Sequence, residues 1–530
     1  MLVRTEEEEG QRSRPSEPVG GIIPQPPPAL QLPTTVQGIL AARIDRLTSD
    51  EKALLQQLAV IGREFPLRLI RRVIVHPEDE LFRLLSSLQR KEFLYEQPAF
   101  PEVEYLFKHA LTQEVAYNSV LLEHRKVLHE QTGQAIEQLY RDRLEEHYRE
   151  LAHHYSRSGS TEKAIEYLHK AGQQAVQNLA HAEAISYFIT ALDLFKTLPE
   201  TLERGQRELS LQLTLAASLQ VTKGPSAPEV ENVYMRAQAL CRQGGGQQQH
   251  FAVLRGLWLL HHVRADLVAA REAGEQLLIM AEEIQDPTLI VEARRTLGST
   301  LLWQGEFSLA RMYLEQAVAL YDQPQHSPLP SLYGGADPGI VCLCELARGL
   351  WFLGYPEQAL LRSQTALALA RTHVDSFSLG FALIFAAGLH QLRREGQLTQ
   401  KYAEDGITLA QEHGFTALLS AGTIRRGWAF AERGHGEEGL KHMQQGLIAR
   451  QATGAELAQP YFLALQAEVY GKLGQRERAL ILLSEALKAI SVSGEHRLEA
   501  ELYRLKGELL LQQVRERATE SGEQGRATDP

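Results

Sequence analysis

The chain has 530 residues, of which 44% are hydrophobic and 23% are charged, and its formal net charge is −11. This composition is typical of a chain that folds, and the length suits several domains or one long repeat array. The acidic balance disfavours a general nucleic-acid binder, which needs surplus cations to displace counterions from phosphate. Three cysteines exclude a disulfide scaffold, and Cys342 and Cys344 alone cannot complete a zinc site. The sequence therefore predicts a protein of a reducing cytoplasm.

Both ends of the chain differ in composition from its middle. Four consecutive glutamates occupy positions 6–9, and prolines cluster between Pro24 and Pro33, so we expect residues 1–33 to be a disordered tail or linker. A second disordered tail is predicted for residues 514–530. The best apolar run, residues 379–389, is far shorter than the roughly 20 residues that span a bilayer, so no membrane partner is expected.

Residues 34–122 carry the pattern of a small mixed domain. Thr48 is placed to cap a helix that ends at Gly62, and two shorter helices fit residues 66–75 and 77–90. Aromatic and β-branched residues then stand on both sides of a proline-marked turn, at 93–95 and 103–107, which predicts a two-stranded hairpin. Helices followed by a hairpin predict a winged-helix domain whose wing is the hairpin.

Residues 123–513 are predicted to be all-α and repetitive. A frame of small and large apolar residues surrounds a turn glycine, as in Leu297, Leu301, Gly305, Ala310, Leu314 and Ala317. The turn glycines are Gly305, Gly354, Gly396, Gly434 and Gly474, which lie 49, 42, 38 and 40 residues apart. In the copy near Gly396, Lys401 occupies the alanine position and Ala403 comes two residues late.

This frame has a physical explanation. Glycine closes the turn between two antiparallel helices, small residues let those helices approach, and large apolar residues fill the seam with the next pair. The frame resembles the tetratricopeptide repeat (TPR), whose period is 34 residues. The sequence therefore predicts a TPR-like helical solenoid, and we expect its concave face to bind a protein or a small effector.

Taken in order, several segments resemble the C-terminal part of a bacterial multidomain family. Its members join a class III adenylate/guanylate cyclase domain, an AAA/STAND-type signal-transduction ATPase and a TPR array. The resemblance covers nearly all of residues 33–513 and implies a winged helix that relays the state of the array to the ATPase. The segments are PTTVQGILAARIDRL (33–47), AVIGREF (59–65), FKHALTQEVAYNSVL (107–121), LAHHYSRSG (151–159), TKGPSAPEVENVYMRAQALC (222–241), YGGADPG (333–339), LHQLRREGQ (389–397), GWAFAERGHGEEG (427–439) and ELYRLKGELLL (501–511).

The catalytic motifs of that family do not occur in this chain. A phosphate-binding loop needs spaced glycines before Lys-Ser/Thr, and the sequence around Lys472 lacks both the glycines and the hydroxyl. The metal-binding aspartates of the cyclase are not found either. The chain is thus predicted to be neither an ATPase nor a cyclase, and to hold no cofactor itself. ATP or ADP would be bound by an ATPase domain in cis or in trans, and the chain is either a fragment of a larger protein or a standalone regulator.

His109 is the one residue to which the resemblance assigns a site. In related ATPases a histidine at the end of the winged helix senses the phosphates of the bound nucleotide, and an imidazole can donate a hydrogen bond to phosphate. The structural alternative is a histidine at a strand-to-helix junction.

Three other groups of residues have ordinary structural explanations. His147, His153 and His154 are expected to pack or face solvent rather than bind metal, because positions seven apart on a helix are about 10 Å apart. The segment Tyr333–Gly339 is expected to be a turn between helices, with a binding loop as the alternative. A possible DNA-facing patch is formed by Arg63, Arg68, Arg71 and Arg72, although intramolecular packing of the winged helix is favoured.

The leading functional hypothesis is a non-catalytic regulatory sensor and protein-interaction region. The first alternative is a fragment of an adenylate cyclase or ATPase whose catalytic domains lie upstream. A winged-helix transcriptional regulator is the third hypothesis, and it is the one least favoured by the acidic composition.

Overall fold

A computed structural model describes residues 34–98, 103–321, 335–372 and 375–526, which form two compact units. The first unit contains the residues up to Asp142 together with 157–159, and the second contains 143–156 and the residues from 160 onwards. The first unit extends beyond residue 122 because the helix Leu122–Leu139 packs against earlier helices of the same unit. The tail predicted for residues 1–33 lies outside the described residues.

The first unit combines six helices of the described range with a small antiparallel sheet. The helices are α1 (Thr34–Asp45), α2 (Ser49–Ile61), α3 (Leu67–Val73), α4 (Glu78–Arg90), α5 (Ala110–Asn118) and α6 (Leu122–Leu139). The strands are β1 (Glu64–Pro66), β2 (Leu94–Gln97) and β3 (Glu104–Phe107). β3 lies between the other two, with Tyr105 opposite Phe65 and Leu106 opposite Tyr95. The sequence analysis missed β1, because three residues are too few to show a strand period.

A buried carboxylate joins α2 to α4 in this unit. The Thr48 side chain caps α2 at the backbone N–H of Glu51, and the Glu51 side chain accepts in return from the Thr48 N–H, as the sequence predicts for the helix start. Lys91 and Ser87 also donate to this carboxylate at 2.6 Å. Burial alone would raise the pKa of Glu51, but these donors bring it down to about 2.

In its described residues the second unit is a series of helices, in which neighbours along the chain pack against each other. The helices are α7 (Tyr148–Tyr155), α8 (Thr161–Gln177), α9 (His181–Phe195), α10 (Leu202–Lys223), α11 (Pro228–Gly244), α12 (Gln247–Val263), α13 (Leu267–Ile284), α14 (Pro287–Gln304), α15 (Phe307–Leu320), α16 (Pro338–Phe352), α17 (Pro356–Thr372), α18 (Ser376–Leu392), α19 (Gly396–His413), α20 (Thr416–Glu432), α21 (Gly436–Gln451), α22 (Gln459–Lys472), α23 (Arg476–Ser493) and α24 (Glu499–Arg526). A short 3₁₀ helix, His496–Leu498, precedes α24. The predicted TPR-like array of helix pairs is confirmed. The last helix continues to Arg526, beyond residue 513 where the sequence predicts a tail to begin.

The turns inside successive helix pairs repeat with a period of 40 residues. The turn residue has a positive φ angle in each of six pairs, and the spacing is 40 except between Gly305 and Gly354, where it is 49. These residues are Ala265, Gly305, Gly354, Arg394, Gly434 and Gly474. The longer interval contains residues 322–334, which lie outside the described residues.

The prediction of Gly396 as a turn glycine is wrong. Arg394 takes the left-handed conformation at φ 63°, and Gly396 is the first residue of α19. Moving the turn by two residues restores the regular frame, since Thr399 and Gly406 then occupy the small positions, Ala403 occupies the large apolar position, and all three are buried. The anomaly that the sequence showed at Lys401 was therefore an error of register.

The two helices of a pair have different environments. In α16, 13 of the 15 residues are buried, and in α14, 13 of 18, whereas in α15 only three are buried. The first helix of each of these pairs is covered on several sides, because distant parts of the chain pack around it. For example, the Ser226 hydroxyl donates to the Thr453 carbonyl at 2.7 Å, and the guanidinium of Arg497 lies 3.8 Å from the centre of the Trp303 ring. Within the described ranges, no helix is both long and apolar enough to cross a membrane.

Candidate functional site: an interior cavity beside buried arginines

A cavity of about 690 Å³ lies among the later helix pairs of the second unit. Helices α15, α16, α18, α22 and α24 and the 3₁₀ helix before α24 contribute to its walls. Its lining includes the aromatic residues Phe307, Trp351, Phe352 and Tyr461, and the buried residue Arg497. A concave site of this size with apolar walls and a few polar groups is typical of ligand binding.

The aromatic walls of the cavity are held in place by their neighbours. The rings of Phe307 and Phe352 stack with their centres 5.0 Å apart and an angle of 15° between their planes. The Tyr461 hydroxyl donates to Oε1 of Gln391 at 2.7 Å, which fixes the ring between α18 and α22. The aromatic surface is thus largely preorganised, which reduces the entropic cost of binding.

Charged side chains around the cavity form a network of ion pairs. Arg394 contacts Glu468 closely and lies 3.8 Å from Glu501, which also binds Arg504 at 2.6 Å. Lys472 lies 3.1 Å from Glu468 and also pairs with Glu432 on α20 at 2.7 Å. These acids and bases are mutually neutralised, so this part of the cavity carries little excess charge.

Deeper in the unit, Glu292 is held between two arginines. Arg255 donates to its carboxylate at 2.8 Å, and Arg295 donates twice, at 2.6 and 2.8 Å. All three side chains are buried. Burial would raise the pKa of Glu292, but the two guanidinium groups lower it to about 2, so the carboxylate is charged at neutral pH.

A second buried polar group is centred on Ser299, which contacts both Glu345 and His262. Ser299 donates to Oε1 of Glu345 at 2.7 Å and lies 3.3 Å from Nε2 of His262, whose ring stacks on Trp258 at 4.8 Å. Burial, with a smaller contribution from Arg295, lowers the pKa of His262 to about 3, so this imidazole is neutral. The pKa of Glu345 is raised by burial, although several arginines and Ser299 oppose the shift. Among the residues that the structure describes, none donates a hydrogen bond to its second oxygen.

Three further buried arginines face each other near the cavity. Arg348 lies over the Phe385 ring at 3.8 Å, and Arg497 lies over Trp303. Arg425 and Arg348 both lie against Gly388, where an added Cβ would come within 3.1 and 3.3 Å of their nitrogens. Arg348, Arg425 and Arg497 are called the arginine cluster below.

The arginine cluster has too few anionic partners. Burial lowers the pKa of Arg348 to about 9, and repulsion from Arg497 and Arg425 adds to the effect. The pKa values of Arg425 and Arg497 are also lowered, in both cases chiefly by burial. Within the ranges that the structure describes, neither Arg348 nor Arg497 makes a hydrogen bond or an ion pair, and Nε of Arg425 has no partner. The cluster therefore carries uncompensated positive charge.

His109, the residue assigned by resemblance, occupies the N-cap position of α5 and is exposed. Its side chain does not cap the helix, whereas its backbone carbonyl accepts from Thr112 at 3.0 Å. A role in nucleotide sensing stays a prediction.

The other residues singled out from the sequence take structural positions. His154 is buried and its ring meets that of His153 edge-on at 5.3 Å, while Nδ1 of His147 lies 3.0 Å from Glu150. No cluster of three or more metal-binding side chains occurs in the described part of the chain. Burial raises the pKa of both Cys342 and Cys344.

The arginines of the proposed DNA-facing patch have partners within the first unit, apart from Arg63, which is exposed. Arg71 forms an ion pair with Glu78 at 2.6 Å, Arg72 donates to Gln138 at 3.0 Å, and Arg68 lies over the Tyr140 ring.

In the described part of the segment Tyr333–Gly339, Asp337 caps the start of α16. The carboxylate of Asp337 accepts from the backbone N–H groups of Gly339 and Ile340 at the start of α16. Tyr333 and Gly334 lie outside the described residues.

The sequence analysis missed both the cavity and the arginine cluster. Their signal was present as charged residues inside apolar stretches, such as Glu345 and Arg348 in VCLCELARGLWF. A surface helix would place such residues on a polar face, but α16 has almost no exposed face. Charges in a helix of this kind must be paired, or must serve a ligand.

Comparison with known proteins gives remote similarities. No protein-family model matches the chain. An uncharacterized protein of Rhizobium meliloti (strain 1021) is 26% identical over 481 residues, which cover 88% of this chain and 45% of that protein. The chain thus spans less than half the length of this curated relative.

Among solved structures, similarity is found to a signal transduction ATPase with numerous domains (STAND) with a TPR sensor from Pyrococcus horikoshii. It is 13% identical with a TM-score of 0.46, covering 89% of this chain and 67% of that one. The Rap protein complexed with competence and sporulation factor is 10% identical with a TM-score of 0.45, covering 67% of this chain and 99% of that one. The assignment of a TPR-like helical repeat to this chain rests on its own helix pairs.

Proposed function

We propose that the helical array is a non-catalytic regulatory sensor that binds a protein segment or small effector in this cavity. One observation carries this proposal: a preformed cavity of about 690 Å³ combines aromatic walls with the buried residue Arg497. Aromatic rings bury apolar side chains at little entropic cost, while a buried guanidinium fixes the orientation of a polar group. An extended peptide is the ligand that best uses both features.

The state of the ionisable groups favours binding over catalysis. Acid–base catalysis needs a group that exchanges protons near neutral pH and can reach a substrate. The carboxylates of Glu468 and Glu501 are held in ion pairs, and the neutral imidazole of His262 is packed against Trp258. These groups are suited to holding the walls of a site in place.

The first unit is proposed to be a winged-helix domain that relays the state of the array to an ATPase. Its order of helices and its antiparallel β2–β3 pair support this assignment, as does the resemblance to cyclase–ATPase–TPR proteins. In this proposal the ATPase domain belongs to the same protein or to a partner in the cytoplasm, it binds ATP or ADP, and the exposed His109 contacts the nucleotide. The partners that Arg68, Arg71 and Arg72 have within the unit favour this role over DNA binding.

Peptide selection tests the sensor role. The full chain is panned against a random pool of 12-residue peptides, and the affinity of selected peptides is measured by fluorescence titration. We expect Trp351→Ala to weaken binding about tenfold or more, because it removes one aromatic wall of the cavity. Ile279→Ala, an exposed position on α13, is the control. Peptides that bind the Trp351→Ala variant as well as the unaltered chain would place the binding site elsewhere.

Nucleotide turnover separates the sensor from the enzyme alternatives. The purified chain is incubated with ATP and Mg²⁺, and ADP and cyclic AMP are measured by chromatography. The proposal expects neither product, and turnover that co-purifies with the chain would contradict it. The role of His109 is tested in the presence of the ATPase core, where His109→Ala should change nucleotide occupancy.

A further inference from the structure

The arginine cluster combines deep burial with missing partners. The exposed fractions of Arg348, Arg425 and Arg497 are 5%, 4% and 7%. An isolated buried charge is costly, and proteins normally pair it with an opposite charge and hydrogen bonds. Within the described part of the chain, Glu345 acts electrostatically on Arg348 and Arg497, and Glu495 acts on Arg497. Glu345 already accepts from Ser299, and Glu495 accepts from the backbone N–H of Ala458. Two carboxyl groups with these partners do not balance three guanidinium groups.

The cluster is accessible from the cavity. Arg497 belongs to the cavity wall, together with Tyr461, and its guanidinium lies 5.8 Å from the centre of the Tyr461 ring. The guanidinium of Arg425 lies 5.7 Å from the same ring. Arg497 is the member of the cluster that lines the cavity, so a ligand in the cavity approaches the cluster through Arg497.

We propose that the arginine cluster is an anion subsite, which takes a carboxylate group of the ligand bound in the cavity. This inference rests on the proposed function, since it requires that the cavity binds a ligand. The carboxylate is either the C-terminus of a peptide or an acidic side chain. It supplies the negative charge and the hydrogen-bond acceptors that Arg348 and Arg497 lack.

The surroundings of the arginines favour a carboxylate over a phosphate. The Trp303 ring covers one face of Arg497, and the Phe385 ring covers one face of Arg348, which leaves the edges of the guanidinium groups for hydrogen bonding. A planar carboxylate matches such an edge with two parallel hydrogen bonds.

The subsite can be tested with small anions and the full chain. Sodium acetate and sodium phosphate are titrated at constant ionic strength, made up with sodium chloride, while tryptophan fluorescence is recorded. Trp303 lies against Arg497 and is the expected reporter. We expect acetate to give a saturable change that chloride does not give. Arg497→Gln should weaken the apparent affinity for acetate about 10- to 100-fold.

Two control variants separate a binding role from a structural role. Arg271→Gln removes an arginine that is paired with Glu275 and Glu306 away from the cavity, and it should leave the acetate response unchanged. Arg295→Met removes a buried arginine that is fully paired with Glu292, so it should lower the melting temperature. Arg497→Met removes an unpaired charge, and it should raise the melting temperature in the absence of acetate or leave it unchanged.

Several results would overturn the proposal. An equal response to acetate and to chloride in the unaltered chain would show that the cluster does not select a carboxylate, and a stronger response to phosphate than to acetate would contradict the carboxylate assignment. A fall in melting temperature for Arg497→Met as large as that for Arg295→Met would show a structural role. Peptide selection is independent of these measurements. If peptides bind the cavity but acetate does not bind the cluster, the subsite is refuted and the sensor role stands.

Discussion

Glu495 is a buried carboxyl group whose pKa is raised to near neutral pH. Its side chain is 1% exposed, and it accepts a hydrogen bond from the backbone N–H of Ala458 at 2.9 Å. Burial raises its pKa to about 7, against the opposing influence of Arg497 and Arg450. The proton on this residue is therefore coupled to folding.

This coupling has a definite sign. Because the pKa of Glu495 is higher in the folded chain than the usual 4.5, the folded state binds more protons between about pH 4.5 and 7. The contribution of Glu495 to stability is complete below this window and is lost as the pH rises through it. Glu495→Gln keeps a hydrogen-bond acceptor but cannot ionise. We expect this variant to be more stable than the unaltered chain at pH 8 by up to about 3 kcal/mol, and no more stable at pH 4.5.

Urea unfolding of both proteins between pH 4.5 and pH 8 measures this difference. Glu292→Gln is the matched control, because the pKa of Glu292 is lowered to about 2 and its charge is paired with Arg255 and Arg295. That variant should be less stable at neutral pH. A stability difference between Glu495→Gln and the unaltered chain that does not change with pH would contradict the coupling.

At the scale of the helix pair, the sequence predicts the frame well and its register less well. Four of the five predicted turn glycines have a positive φ angle, because glycine adopts this conformation without strain. In the fifth copy Arg394 takes the same conformation, and the nearby Gly396 misled the prediction. Nothing in the local sequence distinguishes the two, since an arginine in a left-handed turn is held there by tertiary contacts. Arg394 has such contacts in its ion pair with Glu468.

The turn at Gly474 provides a direct test of the conformational argument. Its φ angle is 74°, and an added Cβ would have no neighbour within 4 Å, so the cost of Gly474→Ala comes from the backbone alone. We expect a loss of about 1–2 kcal/mol in unfolding free energy. Gly507→Ala, at a helical position that is equally open, should instead stabilise the chain by up to about 1 kcal/mol. Denaturant unfolding distinguishes the two, and equal changes would refute the explanation.

The site was harder to predict than the repeat. The frame residues act within one helix pair, so their spacing is visible in the sequence, as at Ala310 and Leu314. The arginine cluster is assembled from α16, α20 and the segment before α24, whose proximity depends on how successive pairs stack. A single sequence shows that Arg348 stands in an apolar helix, but it does not show which charges lie opposite.

At the scale of the second unit, distant parts of the array share one core. A buried cluster joins Ala265 and Trp303 to Trp428, Leu457 and Leu498, which span more than 230 residues of the chain. In an ideal linear array each repeat contacts only its neighbours, and stability is a sum of local terms. Here the segment before α24 packs against the end of α14, so the last repeat stabilises a much earlier one.

Leu498 and Leu483 form a matched pair for testing this long-range coupling. Both leucines are buried, but Leu483 belongs to a cluster made only from α22, α23 and α24, whereas Leu498 contacts the shared core. Truncation to alanine should cost about 2–5 kcal/mol at either position. Hydrogen exchange should show faster opening of the end of α14 in Leu498→Ala, whereas in Leu483→Ala it should accelerate only the last three helices. If Leu498→Ala leaves exchange in α14 unchanged, the array behaves as a linear stack and the early repeats do not depend on the last one.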